Sequence, residues 1–143
     1  IKLMEKKYII DIMVANIVIE MASDGGFACY MQESVPNFAL FGYGETAKEA
    51  KDDLLQSYEE IKEMLKDENI KTEGLTFVWH YDIKSFFNYF DFLNVSKVAE
   101  RAGINPSLMR KHTSGVANAG EGQYIKLKAA VETIAKELSE ATF

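Results

Sequence analysis

The first part of the chain alternates short apolar segments with turn residues, a pattern typical of a β-meander. Residues 16–22, NIVIEMA, alternate apolar and polar positions and are rich in β-branched side chains, which predicts a strand. The turn signal SDGG separates this segment from FACYM, 27–31, which predicts the second strand. After a loop that Pro36 keeps irregular, FALFGYG, 38–44, predicts a third strand that ends in glycines.

At Thr46 the spacing of apolar positions changes from two to three or four, which is typical of an amphipathic helix facing a sheet. Thr46 and Glu49 form a capping-box pattern that marks the start of this helix. The apolar stripe comprises Ala47, Ala50, Leu54, Tyr58, Ile61 and Leu65. LTFVWHYDI, 75–83, then predicts a fourth strand. The pattern therefore predicts a β-β-β-α-β domain over residues 1–83.

The rest of the chain, 84–143, has helical spacing and predicts an all-α domain, so the fold class is α+β. SFFNYFDFL, 85–93, predicts a short aromatic-rich helix, and 96–102 predicts a second helix with Ser96 as its N-cap. Gly103 is expected to end that helix, and Pro106 to lie in the first turn of the next. A glycine-containing loop leads to a last helix over 123–140. Its predicted stripe comprises Leu127, Val131, Ile134 and Leu138.

Charge divides along the chain in the same way as the pattern does. The whole chain has 16 Lys and Arg against 22 Asp and Glu, but residues 1–74 carry a net charge of −7 and residues 75–143 a net charge of +1. The segment 94–114 is locally basic, with a net charge of +3, because it contains four basic residues and a single acidic one, Glu100. The basic residues are Lys97, Arg101, Arg110 and Lys111. Since attraction to phosphate is screened beyond about 8–10 Å, a local basic patch can bind DNA despite remote acidic residues. The asymmetry indicates two modules with two partners.

The basic segment has the spacing of a helix-turn-helix, in which the second helix enters the major groove and the first braces it. A small residue, a turn glycine and two apolar residues are needed at set positions, which Ala99, Gly103, Ile104 and Met109 occupy. The candidate DNA-contacting residues are Ser96, Lys97, Asn105, Ser107, Leu108, Arg110 and Lys111. Arg110 could bind a guanine edge bidentately or clamp a phosphate, and Ser96 and Lys97 would contact the DNA backbone. His112 is expected to pack on the core side. The alternative interpretation is two packed helices in a small bundle.

The segment 95–115 resembles the helix-turn-helix of phage-repressor-like domains. VPNFALFGYGETAKEAKDDLLQSYEEI, 35–61, resembles the HicB antitoxin family, in which a proline-containing loop leads into a strand, and a glycine, an acidic residue and a threonine start a helix. The matching residues are Pro36, Gly44, Glu45, Thr46, Glu49 and Ala50. The similarity to HicB covers roughly residues 16–83, and the helix-turn-helix covers most of the rest.

This resemblance implies a partial ribonuclease-H-like front domain without catalytic activity. Its partner would be HicA, a small basic ribonuclease toxin with a double-stranded-RNA-binding-like fold, whose active site the antitoxin covers. The complex would bind its own double-stranded operator DNA and repress it. Because one helix-turn-helix buries little DNA surface, we also expect the protein itself to be a homodimer or higher homo-oligomer. One departure concerns the loop 113–123, which is glycine-rich where many phage-repressor-like domains carry basic residues and proline. That departure argues against phosphate contacts from this loop.

Catalytic chemistry finds little support in the residue pattern, so we expect no enzymatic activity, metal or cofactor. The carboxylates considered for a two-metal nuclease site are Asp24, Glu45, Asp52 and Asp53. Asp52 and Asp53 are adjacent, so they diverge on a helix and cannot both face one metal. His80 and His112 lack metal-ligand spacing, and Cys29, the only cysteine, is expected in the core. The aromatic residues of 77–92 could stack bases, but are expected in the core and at the join between modules.

Two function classes remain open at this point, together with a third of weaker support. The first is an antitoxin-type regulator, and the second is a stand-alone transcriptional regulator whose front domain dimerises or senses a ligand. The third is an RNA-binding protein that uses an aromatic sheet face. The apolar segment 8–21 is too short to span a bilayer and is interrupted by Asp11, so we expect a buried strand there and no membrane partner. The single cysteine allows no internal disulfide, which fits a reducing compartment, and we expect a cytoplasmic protein.

Overall fold

The computed structural model describes residues 14–34, 38–67 and 75–143. Within these ranges the chain is a mixed α+β protein with a four-stranded mixed sheet and five helices. The elements of the first part are β1 (Val14–Met21), β2 (Phe27–Met31), β3 (Phe41–Gly44), α1 (Ala47–Asp67) and β4 (Thr76–Tyr81). Those of the second part are α2 (Ile83–Tyr89), α3 (Val95–Ala102), α4 (Pro106–Ser114) and α5 (Glu121–Glu140).

The sheet has the strand order β3-β2-β1-β4. β1 pairs antiparallel with β2 and parallel with β4, and β2 pairs antiparallel with β3. A five-residue turn, residues 22–26, joins β1 to β2, whereas the parallel strand β4 is reached only after the long connection that contains α1. Alternation along β1 buries Ala15, Ile17 and Ile19 on one face of the sheet. The predicted β-meander followed by a helix and a fourth strand is therefore the order of elements found.

Helix α1 covers one face of the sheet with the predicted apolar stripe. Of that stripe only Ile61 is half-buried, and the other five residues are buried. The helix backbone comes very close to β3, because a Cβ atom on Gly42 would lie 2.2 Å from the carbonyl oxygen of Ala50. A side chain at Gly42 would therefore push the helix off the sheet. The predicted helix start is confirmed, since Thr46 Oγ1 accepts a hydrogen bond from the Glu49 N–H at 3.1 Å.

Strand β3 is shorter than the sequence predicts. The prediction began it at residue 38, but the strand begins at Phe41, although Phe38 and Leu40 are both buried. Burial of apolar side chains does not require ladder pairing, and an apolar run cannot by itself distinguish the two. The preceding loop prediction, with Pro36, lies outside the described residues, as does the part of the N-terminal apolar segment before β1.

The two edge strands of the sheet differ in what faces their outer sides. On β3, the Tyr43 N–H donates to Asp53 Oδ2 of α1 at 2.9 Å, so a helix side chain occupies an edge donor. On the opposite edge, β4 pairs with β1 and with no other described strand, and it carries no charged residue. The face of the sheet opposite α1 exposes Phe41, Tyr43 and Val78, each more than two-fifths exposed.

The chain divides into two compact units, Ile1–Ser85 and Phe86–Phe143, and the boundary falls within α2. At the start of α2, Asp82 accepts from the backbone N–H of Ser85 at 2.7 Å and from that of Met21 at 3.1 Å. The buried Ser85 hydroxyl donates to the Ile19 carbonyl oxygen at 2.7 Å. These contacts hold the first turn of α2 against β1. The helix predicted over 85–93 therefore begins two residues earlier, at Ile83, and ends at Tyr89. A turn follows it, in which the Leu93 N–H donates to the Phe90 carbonyl oxygen.

Helix α5 begins at Glu121 rather than at residue 123, so Gly122 lies inside the helix and not in the loop. The predicted stripe is only partly covered. Leu127 is buried, Val131 and Ile134 are half-buried, and the prediction is wrong for Leu138, whose exposed fraction is 65%. None of the described helices has the length and apolar character needed to cross a membrane.

Candidate nucleic-acid interface

Helix α3 begins at a different cap residue from the predicted one. Asn94, not Ser96, is the N-cap, and its side chain accepts a hydrogen bond from the Lys97 N–H at 3.0 Å. Asparagine and serine are both good N-caps, so the sequence LNVSKV offers two starts two residues apart. Because Asn94 caps the helix, the Ser96 hydroxyl is available for another role.

The turn between α3 and α4 is set by Gly103. This residue has φ = 71°, a left-handed conformation that favours glycine, and its N–H bonds back to the Glu100 carbonyl oxygen. The Ile104 N–H then bonds to the Ala99 carbonyl oxygen at 2.9 Å, which completes a Schellman-type end to the helix. The predicted role of Gly103 as the end of α3 is confirmed.

The residues assigned to the packed side of the two helices are buried as predicted. Ala99 and Met109 are fully buried and Ile104 is 4% exposed. Asn105 caps α4 by accepting from the Ser107 and Leu108 N–H groups, and Pro106 occupies the first turn. The spacing around the glycine therefore produces two short helices that pack against each other, as the sequence predicts.

The predicted site residues lie along the exposed side of these helices, with unequal freedom to bind a ligand. Lys97, Asn105, Ser107, Arg110 and Lys111 are exposed, and Ser96 and Leu108 are half-buried. The Asn105 side-chain oxygen is already engaged in capping, so only its amide N–H₂ can donate to a ligand. This residue is therefore primarily a cap.

The Arg110 guanidinium joins α3 to α4 through two serine hydroxyls. Its Nη1 donates to Ser96 Oγ at 2.9 Å and its Nη2 donates to Ser107 Oγ at 3.2 Å. Ser96 lies in the first turn of α3 and Ser107 in the first turn of α4. The structure thus brings together three of the seven predicted residues in one hydrogen-bonded group at the N-terminal ends of both helices.

The basic charge of the segment is smaller in the fold than in the sequence. Arg101 forms an ion pair with Glu137 of α5, a residue thirty-six positions away, and Lys97 lies 3.5 Å from Glu100. The Lys111 side chain forms no hydrogen bond or ion pair with the described residues, and the Arg110 guanidinium bonds to uncharged groups only. The positive charge open to a ligand is therefore concentrated on α4, at Arg110 and Lys111.

His112 packs in the core of the second unit, as predicted. It is 4% exposed, and its Nδ1 lies 3.2 Å from the Ala117 carbonyl oxygen. The Ala117 N–H donates to the Lys111 carbonyl oxygen at 3.1 Å, so the chain after α4 folds back onto the end of that helix. The His112 Nε2 is buried without a hydrogen-bond partner among the described residues.

Three of the four carboxylates considered for catalysis, Asp24, Asp52 and Asp53, have structural partners in the first unit. Asp24 accepts from the Gly26 N–H and from the Tyr43 hydroxyl, the latter at 2.5 Å. The Tyr43 hydrogen bond holds the pKa of Asp24 below its ordinary value and raises the pKa of Tyr43. Asp52 pairs with Lys48 at 2.7 Å. No group of three or more metal-ligating side chains occurs in the part of the chain that the structure describes.

The two remaining reactive side chains are also accounted for. Cys29 is fully buried beneath α1, and burial raises the pKa of its thiol to about 12. His80 lies on the exposed face of β4, where its Nε2 is 2.9 Å from Asn16 Oδ1. Phe77 and Trp79 point the other way, toward Tyr58 and Lys51 of α1. These two rings are therefore packed and not available to stack bases.

Sequence reasoning missed the contacts that depend on the fold. The Asp53 contact to β3 and the Asp82 contacts at the start of α2 join residues of different elements, and no local pattern indicates them. The Ser96–Arg110 contact spans fourteen residues. Asn94 is the exception, because its position three residues before Lys97 and just before an apolar residue carries an N-cap signal of its own.

Comparison with protein-family models, curated proteins and solved structures finds no match to this chain.

Proposed function

We propose that this protein is a sequence-specific DNA-binding regulator of the antitoxin type. The observation that carries the proposal is the arrangement of α3 and α4. A left-handed Gly103 joins two short helices whose inner residues are buried, and Arg110 and Lys111 stand on the outer side of the second helix. This is the geometry in which a recognition helix enters the major groove while the preceding helix braces it. In this assignment the second unit is an all-α helix-turn-helix domain.

In this assignment the first unit is a partner-binding domain with a partial ribonuclease-H-like fold. Its support is the strand order with α1 on one face, together with the resemblance of 35–61 to HicB. Acidic residues outnumber basic ones on α1, and Glu60 and Glu63 are exposed. A small basic protein, the HicA-like ribonuclease toxin, fits this charge, and complementary charge accelerates association. The antitoxin itself would have no catalytic activity.

Operator binding would require two copies of the chain. A single unit of this size buries too little DNA surface for useful specificity, so regulators of this class bind two half-sites about one helical turn apart. We therefore infer a homodimer that binds a palindromic duplex.

The DNA-binding part of the proposal is tested by selection from a randomised duplex pool with the full-length protein. We expect enrichment of one palindromic sequence over a scrambled duplex of equal composition, with an affinity that falls steeply as salt rises. Enrichment of single-stranded RNA instead would favour an RNA-binding protein. Enrichment of no nucleic acid at all would refute the assignment of α3 and α4.

The partner-binding part is tested with the product of a neighbouring gene for a small basic protein. Association of the full chain should slow as salt rises, and Glu60→Lys combined with Glu63→Lys should slow it by roughly tenfold. The matched control is Glu132→Lys combined with Glu140→Lys, which makes the same charge change on α5. Equal slowing by both pairs would contradict a site on the first unit. Failure of the full chain to bind would favour a stand-alone regulator.

A further inference from the structure

We propose that Ser96 and Ser107 are positioning residues that hold the Arg110 guanidinium in one plane for bidentate recognition of a base edge. This inference rests on the proposed DNA-binding function and assigns different roles within that site. The sequence suggested that both serines touch DNA themselves, whereas the structure turns both hydroxyls toward Arg110.

Neither serine is needed to start its helix. Asn94 caps α3 and Asn105 caps α4, each through its own side-chain oxygen. Serine hydroxyls in the first turn of a helix commonly satisfy free backbone N–H groups, but here asparagines fulfil that function. The two hydroxyls are instead acceptors for one guanidinium, at 2.9 Å and 3.2 Å.

The two contacts restrict Arg110 without consuming its capacity to donate. A guanidinium carries five N–H groups on three nitrogens. One N–H of Nη1 and one of Nη2 are directed to the serines, so each of the three nitrogens keeps one N–H. Because two acceptors on different helices fix two of the nitrogens, the plane of the group is fixed as well. A guanine presents O6 and N7 side by side, and an arginine fork in a fixed plane can contact both.

Fixing the plane in advance lowers the cost of binding. An exposed arginine without internal partners must lose rotamer freedom when it engages a base, and that loss reduces affinity. A phosphate can also bind a planar arginine fork, but it binds a lysine ammonium from many directions as well, so it depends less on a fixed plane than the side-by-side O6 and N7 of guanine do. The serine pair therefore points to base recognition by Arg110, with Lys111, whose side chain has no partner among the described residues, as the phosphate contact.

The test is a double-mutant cycle on the full-length protein. Binding to the duplex that the wild type selects from a randomised pool, and to a scrambled duplex, is measured for Ser96→Ala, Ser107→Ala and Arg110→Ala alone and in pairs. Each serine variant should lower the ratio of specific to scrambled binding by roughly two- to tenfold. In the Arg110→Ala background the same serine changes should have no further effect, since a positioning residue acts only through the group it positions.

The controls separate positioning from folding and from direct contact. Ser96→Thr keeps the hydroxyl and should retain the wild-type ratio. Ser114→Ala removes a hydroxyl of α4 that bonds only to the Lys111 carbonyl oxygen of its own helix, and it should leave the ratio unchanged. Serine effects that persist undiminished without Arg110 would overturn the inference and show that the hydroxyls contact DNA. Absence of any serine effect would also overturn it, while leaving the proposed function standing. A wild type that selects no duplex would overturn both.

Discussion

Cys29 is the side chain whose chemical behaviour follows most directly from its burial. The thiol lies under α1 in the middle of β2, fully buried, and burial raises its pKa from about 9 to about 12. Since only the thiolate attacks an alkylating reagent, iodoacetamide should label Cys29 only when the sheet opens. Labelling at pH 8 should therefore be slow in the native protein and fast in urea. Labelling at the rate of a free thiol would contradict the described packing of β2.

The same raised pKa has a consequence for stability at high pH. A raised folded-state pKa means that the folded state holds its proton more tightly than the unfolded state. The stability that the protonated Cys29 thiol contributes to the folded state is therefore fully present below about pH 9 and is lost as pH rises toward 12. The free energy of unfolding, measured by urea titration, should decrease over this range more in the wild type than in Cys29→Ala. Parallel curves for the two proteins would show that Cys29 does not hold its proton more tightly when folded.

Arg110 and Lys111 are adjacent on α4, but we expect their removal to have different effects. Arg110→Ala should cost roughly 1–3 kcal/mol on the selected duplex and relax the preference at one position of each half-site. Lys111→Ala should weaken all duplexes alike and lower the slope of affinity against salt by about one. Binding to single-position variants of the duplex across a salt series measures both. An unchanged base preference in Arg110→Ala would place that residue on a phosphate.

Much of the residue-level assignment could be predicted from the sequence. Burial of Ala99, Ile104, Met109 and His112 follows from helical spacing around one glycine, which is a local property. The sequence alone does not decide between Asn94 and Ser96 as the cap, because both residues satisfy the same local rule. The pairing of Arg101 with Glu137 depends on how α3 packs against α5, so a count of charge along the chain overstates the free basic charge.

Among the elements, the α3–α4 turn is the one whose geometry depends most on a single residue. Gly103→Ala should destabilise the second unit by about 1 kcal/mol, because alanine is strained at φ = 71°. Gly122→Ala should stabilise it by roughly 0.5 kcal/mol, because Gly122 lies inside α5 with open space around it. Thermal unfolding, monitored by the helical circular dichroism signal, measures the change in stability for both variants. Equal effects from the two variants would contradict the assigned left-handed turn.

Element boundaries were predicted less well than element identities, and β3 and α5 show why. Phe38 and Leu40 are apolar and buried, and the Leu40 carbonyl oxygen accepts from the Met31 N–H, but regular pairing with β2 begins only at Phe41. Helix α5 includes Gly122 because its neighbours favour a helix and nothing crowds that position. The exposed Leu138 shows that an apolar stripe predicts a helix face but not what covers it.

At the scale of the whole molecule, the two sheet edges lead to a prediction about self-association. Charged groups protect natural edge strands, and here Asp53 protects β3 while β4 carries no charge. We therefore expect the homodimer to form by antiparallel pairing of two β4 strands. Val78→Lys should shift the protein to monomers in light scattering, whereas Phe41→Lys, a charge on the other edge strand, should not. Monomers from Phe41→Lys alone would place the interface at β3.

The central claim is that the outer side of α4 binds a specific DNA duplex, and one matched comparison tests it most directly. The full-length protein is compared with Arg110→Ala/Lys111→Ala and with Lys126→Ala/Lys128→Ala, which removes the same charge from α5 of the same unit. Affinity for the selected and scrambled duplexes is measured by fluorescence anisotropy at several salt concentrations. We predict that the α4 pair lowers specific affinity by roughly a hundredfold or more, and that the α5 pair changes it by about threefold at most. Equal losses from the two pairs, or specific binding that survives in a folded α4 variant, would contradict the account.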